Sequence, residues 1–167
     1  MQLAINVSAR QYRQADFVDT VRAALDRSHA PADRLKIELT ESMVLDDVED
    51  TIAKMSALER FGVGFSMDDF GTGYSSLSYL TRLPLDQLKI DQSFVRHLPD
   101  SRTDAVVAQS IISLARNLGL TVIAEGVETE AQRAFLEEHG CVIYQGYLFG
   151  RPVPLADFIG SMQPVVS

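Results

Sequence analysis

The chain has little of what would point to several common functions. It has one cysteine, Cys141, so it has no disulfide framework and no cysteine-based zinc site, and it fits a reducing, cytoplasmic setting. Tryptophan is absent and histidine is scarce: His29, His97 and His139 stand apart rather than at metal-ligand spacing and read as solvated side chains. Basic residues are outnumbered, 15 Lys and Arg against 23 Asp and Glu, and a formal charge of −8 argues against binding a nucleic-acid polymer. No apolar run approaches a membrane span and no signal-peptide core precedes Leu3, so any membrane anchor of a parent protein would lie outside this chain. What remains is a chain of 167 residues, 46% hydrophobic and 23% charged, enough for one domain with a buried core.

The residues that are present fall into a regular alternation. Short β-branched runs, Leu3 to Ser8, Leu35 to Thr40, Val63 to Asp68, Gln87 to Asp91, Thr121 to Glu125 and Val142 to Gln145, read as six strands. Between them, helical spacing predicts helices over Phe17 to Arg27, Val44 to Phe61, Asp104 to Asn117 and Glu130 to His139. A short helix through Leu77 and Leu80 and another near Asp157 are also expected. Strand and helix in alternation imply parallel strands with right-handed crossovers, either an open sheet or a (β/α) barrel.

The side-chain period favours the barrel. Leu88 and Ile90 point one way, so Lys89 and Asp91 point the other; Ile37 and Leu39 oppose Glu38, Met67 opposes Asp68, Ile5 and Val7 oppose Asn6, and Ala124 opposes Glu125. Nearly every strand carries a polar group near its C-terminal end, on a face that would otherwise be apolar, and a barrel makes those groups converge. The densest signal is Asp68-Asp69 before Gly71-Thr72-Gly73. A lone Asp-Asp before glycine is usually a solvated turn, but here it joins a convergent polar set. Adjacent carboxylates repel unless a cation lies between them, and a divalent ion is the common solution. Asp69-Phe70-Gly71 mimics a kinase triplet, yet no glycine-rich loop or His-Arg-Asp accompanies it. A sugar-phosphate enzyme on the same barrel would want a glycine-rich phosphate loop, for which Gly146 and Gly150 are a poor substitute. Cys141, before Val142 and Ile143, reads as a small core residue.

Asn6-Val7-Ser8, Glu38-Leu39-Thr40-Glu41, Asp68 through Leu77, Lys89-Ile90-Asp91, Ala124 through Thr129 and Gln145-Gly146-Tyr147 occur in the order typical of the EAL domain, and the chain resembles that family over nearly its whole length. The resemblance implies a TIM-like (β/α) barrel, usually with one antiparallel strand, and hydrolysis of the bacterial second messenger cyclic di-GMP to linear pGpG by two-metal-assisted attack of water. It makes Asn6, Glu38 and Asp68 ligands of a Mg²⁺ or Mn²⁺ pair, with Asp69 reaching the second ion and Ca²⁺ inhibitory. It gives Lys89 the nucleophilic water and Glu125 the role of general base or metal partner, with Asp91 and Gln145 completing the polar floor. Glu41 would accept hydrogen bonds from the Gly71 to Gly73 backbone, Glu128 would support the site from behind its ligands, and Arg151 would border the substrate.

One departure stands out: the Glu-Ala-Leu signature is absent. The chain therefore reads as residues 1–167 of a partial EAL domain from its third strand onward, about six of eight strands. A fragment of a longer protein, with regulatory domains elsewhere, is the expectation; doubtful activity alone and self-association through open sheet edges follow from it. The alternative is a catalytically inactive EAL-type domain acting as a cyclic di-GMP receptor or protein-interaction module.

Overall fold

In the computed structural model, which describes residues 2–71 and 77–161, six strands form one sheet in the order of the chain. They are β1 (Leu3–Asn6), β2 (Leu35–Thr40), β3 (Gly64–Phe70), β4 (Gln87–Ile90), β5 (Thr121–Glu125) and β6 (Tyr144–Gln145). All five pairings are parallel, so the antiparallel strand that the resemblance implies is not among these six. Sequential order with helical crossovers is the arrangement of an incomplete TIM-like barrel rather than of a sheet whose order reverses midway.

Several expected boundaries shift, two of them substantially. The single helix over Val44 to Phe61 is two, α3 (Glu41–Asp46) and α4 (Val48–Glu59). The break is Asp47, whose extended backbone (φ −151°, ψ 91°) starts α4 and whose carboxylate accepts from the Asp50 N–H at 3.0 Å. The strand expected over Val142 to Gln145 shrinks to Tyr144 and Gln145; Val142 and Ile143 are exposed, although the Ile143 carbonyl accepts the Ala124 N–H at 3.0 Å. Ser8 leaves β1 to cap α1 (Ala9–Tyr12) in a reciprocal arrangement with Gln11. The remaining helices are α2 (Phe17–Ser28), α5 (Leu77–Leu80), α6 (Gln92–Val95), α7 (Arg102–Asn117), α8 (Glu130–Glu138) and α9 (Leu155–Ser161). No described helix is long and apolar enough to cross a membrane.

The two faces of the sheet differ in kind. One carries Ile37, Leu39, Phe65, Met67, Leu88, Ile90 and Ala124, all essentially without solvent exposure beneath the helices. Burial of a side chain such as Phe65 or Leu88 contributes roughly 1.5–3 kcal/mol. On the other face the register aligns Asn6, Glu38, Ser66, Gln87 and Thr121, with Asp68, Lys89 and Glu125 further toward the C-terminal ends. Apart from Ala4 and Ile123, this inner face is polar or glycine, and its central members are buried. Such a face is stable only where its groups satisfy one another. The lower end shows how: the Asp86 carboxylate accepts the Phe65 N–H at 2.8 Å and faces Lys36 at 3.7 Å.

Candidate active site

The site begins with an irregularity. Met67 pairs with Leu88 and Phe70 with Ile90, so two residues of β3, Asp68 and Asp69, face the single Lys89 of β4. This two-for-one bulge interrupts the strand period, and Asp69 adopts a left-handed backbone (φ 54°) that aspartate tolerates better than most residues. In a regular strand Asp69 would point away from Asp68; the bulge lets both carboxylates reach the same place, and the Asp69 N–H donates to Asp68 Oδ1 at 3.0 Å. Gly71 follows with φ 95° and little room for a side chain, since a Cβ there would lie 3.1 Å from Ile111 and 3.2 Å from Phe94.

Lys89 Nζ is the hub. It lies 3.0 Å from Glu38 Oε2, 3.0 Å from Asp68 Oδ1 and 2.5 Å from Glu125 Oε1, drawing together three strands with a side chain only 4% exposed. An ammonium has three N–H donors, and all three have a carboxylate here. Burial by itself pulls the Lys89 pKa down, but the hydrogen bonds to Glu125 and Glu38 and the charges of Glu125 and Asp68 outweigh it and hold the group above the ordinary lysine value. Lys89 is therefore a permanent cation. Glu125 is shifted upward by burial, opposed by Lys89 and reinforced by the charges of Asp68 and Glu38. Asp69 is also raised, first by burial, then by the charges of Asp68 and Asp91, with a hydrogen bond to Asp91 adding to it.

Asp68, Asp69 and Glu125 each offer an oxygen within 4.8 Å of the others, a separation that a cation can span. Carboxylates alone, with no thiolate or imidazole nearby, suit hard divalent ions such as Mg²⁺ or Mn²⁺. The donor set fits a metal, because one ammonium leaves the clustered carboxylates in excess.

Other residues named from the sequence take varied positions. Asp91 starts α6 by accepting the Ser93 N–H at 2.9 Å, so it both caps a helix and reaches Asp69. Asn6 stands in register with Glu38 but is exposed, and Gln145, opposite Glu125, is exposed on β6. Glu41 lies just past the end of β2, where it opens α3; it is 3% exposed and accepts a hydrogen bond from the Tyr79 hydroxyl at 3.2 Å. Its expected contact with the Gly71 to Gly73 backbone falls partly on Thr72 and Gly73, outside the described residues. Glu128 is exposed, and the Arg151 guanidinium sits 4.4 Å from the centre of the exposed Tyr147 ring. Neither meets the Lys89 cluster in a described contact. His139 departs from the solvated expectation: it is half-buried against Phe135 and Gln109.

Three buried polar residues around the site went unrecognised in the sequence. Ser66 and Gln87 lie buried beneath Asp68 and Lys89, giving the site a polar underside. Gln132 is buried on α8 and ties together two loops at the C-terminal end of the sheet. The Thr129-Glu130-Ala131-Gln132 spacing is a capping-box signature and could have drawn attention to it.

Similarity to known proteins bears on this geometry. The EAL domain family matches residues 1–152. The cyclic di-GMP phosphodiesterase NbdA of Pseudomonas aeruginosa is 49% identical over 156 residues, 93% of this chain and 20% of NbdA. The solved c-di-GMP complex of the MucR phosphodiesterase, also from Pseudomonas aeruginosa, superposes with a TM-score of 0.91 at 46% identity, covering 94% of this chain and 64% of that one. The Klebsiella pneumoniae BlrP1 complex with manganese and cyclic di-GMP superposes at 0.82 with 37% identity, covering 90% of this chain and 39% of BlrP1; a calcium complex of BlrP1 matches comparably. The chain spans about a fifth of the length of the curated relatives NbdA and MucR.

Proposed function

From the premise that this chain belongs to the EAL domain family, we propose that it carries phosphodiesterase chemistry directed at cyclic di-GMP, opening one phosphodiester to leave linear pGpG. The observation that carries this reading is the Lys89 ammonium held by Glu38, Asp68 and Glu125, with Asp69 brought alongside by the bulge. A receptor need only grip its ligand, whereas a hydrolase needs a fixed cation and a proton acceptor at one point, and this cluster supplies both.

Asp68, Asp69 and Glu125 would hold divalent cations, with Glu38 and Asn6 completing the ligand set in this reading. When bound, such ions supply Lewis acidity toward a phosphoryl oxygen and make water a better nucleophile. The residues themselves account for the rest. Lys89 stays protonated, so it is no base; it attracts the substrate phosphate and orients an oxygen through an N–H. Glu125, its proton affinity raised by burial and its carboxylate 2.5 Å from Lys89, is placed to take the proton of the attacking water. The water oxygen bonds to phosphorus, the bond from phosphorus to the ribose 3′-oxygen breaks, and that oxygen leaves with a proton from solvent.

The test is turnover of cyclic di-GMP in Mn²⁺ or Mg²⁺, measured on this chain and on any longer polypeptide that carries it. Asp68→Asn should lower turnover about a hundredfold or more, the rate equivalent of a few kcal/mol of transition-state stabilisation, while the fold persists because charge but little volume is lost. Calcium should inhibit, since its looser shell suits the geometry poorly. Undiminished turnover by the variant would remove Asp68 from the mechanism.

A further inference from the structure

Glu125 is the last residue of β5, and the loop that follows it directly is closely confined on two sides. Gly126 has φ 67°, and a Cβ there would lie 2.7 Å from the Gln92 Cβ at the start of α6. Gly146 packs against the backbone of Val127, whose N–H donates to the Gln145 carbonyl at 3.0 Å and whose carbonyl accepts from Leu148 at 3.1 Å. On the remaining side a single buried side chain makes the connection. Gln132 Oε1 accepts the N–H groups of Glu128 at 2.7 Å and Thr129 at 3.0 Å, and its Nε2 donates to the carbonyl of Arg96 at 3.0 Å. Arg96 ends α6, the helix that Asp91 begins.

We infer that Gln132 is a positioning residue: its carboxamide ties the loop beyond β5 to the end of α6, and so fixes Glu125 relative to Lys89 and Asp91. Two jobs meet in one side chain. As an acceptor, Gln132 completes the capping box of α8, which is local and structural. As a donor to Arg96, 36 residues away, it holds together the segments after β4 and β5. Only the second job bears on the site, and substitution can separate them. The inference rests on the phosphodiesterase reading for its kinetic consequence, but not for its metal-binding one.

Gln132→Glu keeps the acceptors that cap α8 and replaces the donor to Arg96 with a carboxylate oxygen. Thr129→Ala removes the other half of the capping box and leaves the tie intact. Calorimetric titration with Mn²⁺, together with kcat and KM for cyclic di-GMP, reads the two variants against the unaltered protein. Gln132→Glu should weaken Mn²⁺ binding and lower kcat about tenfold or more, the usual consequence of disturbing the groups behind a metal site, with KM changed less than twofold or so. Thr129→Ala should lower the melting temperature while leaving Mn²⁺ affinity and kcat within about twofold. Should Gln132→Glu fail to fold, Gln132→Met, which loses both jobs, should still weaken Mn²⁺ binding and lower kcat more than Thr129→Ala, which loses only the cap. Equal losses in the Gln132 and Thr129 variants, or unaltered Mn²⁺ affinity and kcat in the Gln132 variant, would overturn the inference. A longer polypeptide carrying this chain that binds Mn²⁺ without turning over cyclic di-GMP would refute the phosphodiesterase reading, and the relative Mn²⁺ affinities would still decide the role of Gln132.

Discussion

The middle of the sheet and its edges carry the same kinds of side chain with opposite consequences. Asn6 on β1 and Gln145 on β6 face the same side as Glu38 and Glu125, yet both are exposed. Every residue of β4 is buried, and there the polar inner face becomes a network with Lys89 at its centre. Water satisfies the edge groups at little cost, whereas the central groups have only one another. Position in the sheet, more than residue type, turns a polar row into a candidate site. The apolar side repeats the contrast: Leu88 and Ile90 are sealed, while Leu3 is 59% exposed beside an apolar groove of about 540 Å³ that Ile5, Val7, Phe17, Val21 and Leu25 help to line.

The sharpest way to break this comparison is to remove the central cation. Lys89→Met preserves bulk but leaves Glu38, Asp68 and Glu125 crowded without their shared partner. Breaking a buried ion pair from one side costs about 3–5 kcal/mol, and the metal-free protein should lose stability on that scale in denaturant unfolding. Added Mn²⁺ should restore part of the loss by supplying another cation. The matching change at the edge, Gln145→Met, should shift stability by only about 0.5 kcal/mol or less. Similar costs at the two positions would mean that the inner face is not divided as described.

The edge has its own expected behaviour. Among the described residues β1 is paired on one side only, and its outer edge adjoins the apolar groove. Open apolar edges recruit further strands, so the isolated chain should self-associate at micromolar concentration. Leu3→Lys should blunt the edge and weaken association about tenfold, roughly 1.4 kcal/mol, as read by sedimentation or light scattering. A chain that stays monomeric with and without the substitution would show that the groove is not sticky enough to matter.

Much of this architecture was legible because periodicity and spacing are local properties. Leu35–Thr40 and Thr121–Glu125 are strands with the boundaries their alternation predicts, and the opposition of Leu88 and Ile90 to Lys89 survives in the fold. The break at Asp47 was hidden because Val44, Val48 and Met55 continue an apolar stripe across it. The direction of Asp69 was hidden for a deeper reason. A bulge is a property of two strands in register, and strict alternation within β3 would have turned Asp69 away from the site. The tie from Gln132 to Arg96 likewise joins residues far apart in the chain, which spacing within one helix does not disclose.

That bulge sets up the last and smallest contrast, between what the site needs and what the fold prefers. Burial, the charges of Asp68 and Asp91, and the hydrogen bond to Asp91 all favour a protonated Asp69, and Lys89 only partly opposes them. A carboxyl whose pKa is higher in the folded protein than in the unfolded chain binds more protons when folded. Its contribution to stability is therefore greatest below the unfolded pKa and is lost as pH rises through the folded one. Without metal, the folded protein therefore favours the ionised form of Asp69 less than the unfolded chain does. Asp69→Asn removes that charge and keeps a residue that tolerates the left-handed backbone. It should raise the metal-free melting midpoint and flatten the fall in stability with rising pH, both modestly, because solvent screens the charges around a partly exposed carboxyl. In Mn²⁺ the order should reverse, because the cation stabilises the carboxylate and has less to hold in the amide. A variant less stable than the parent without metal would mean that Asp69 is held by contacts that outweigh the repulsion from Asp68 and Asp91.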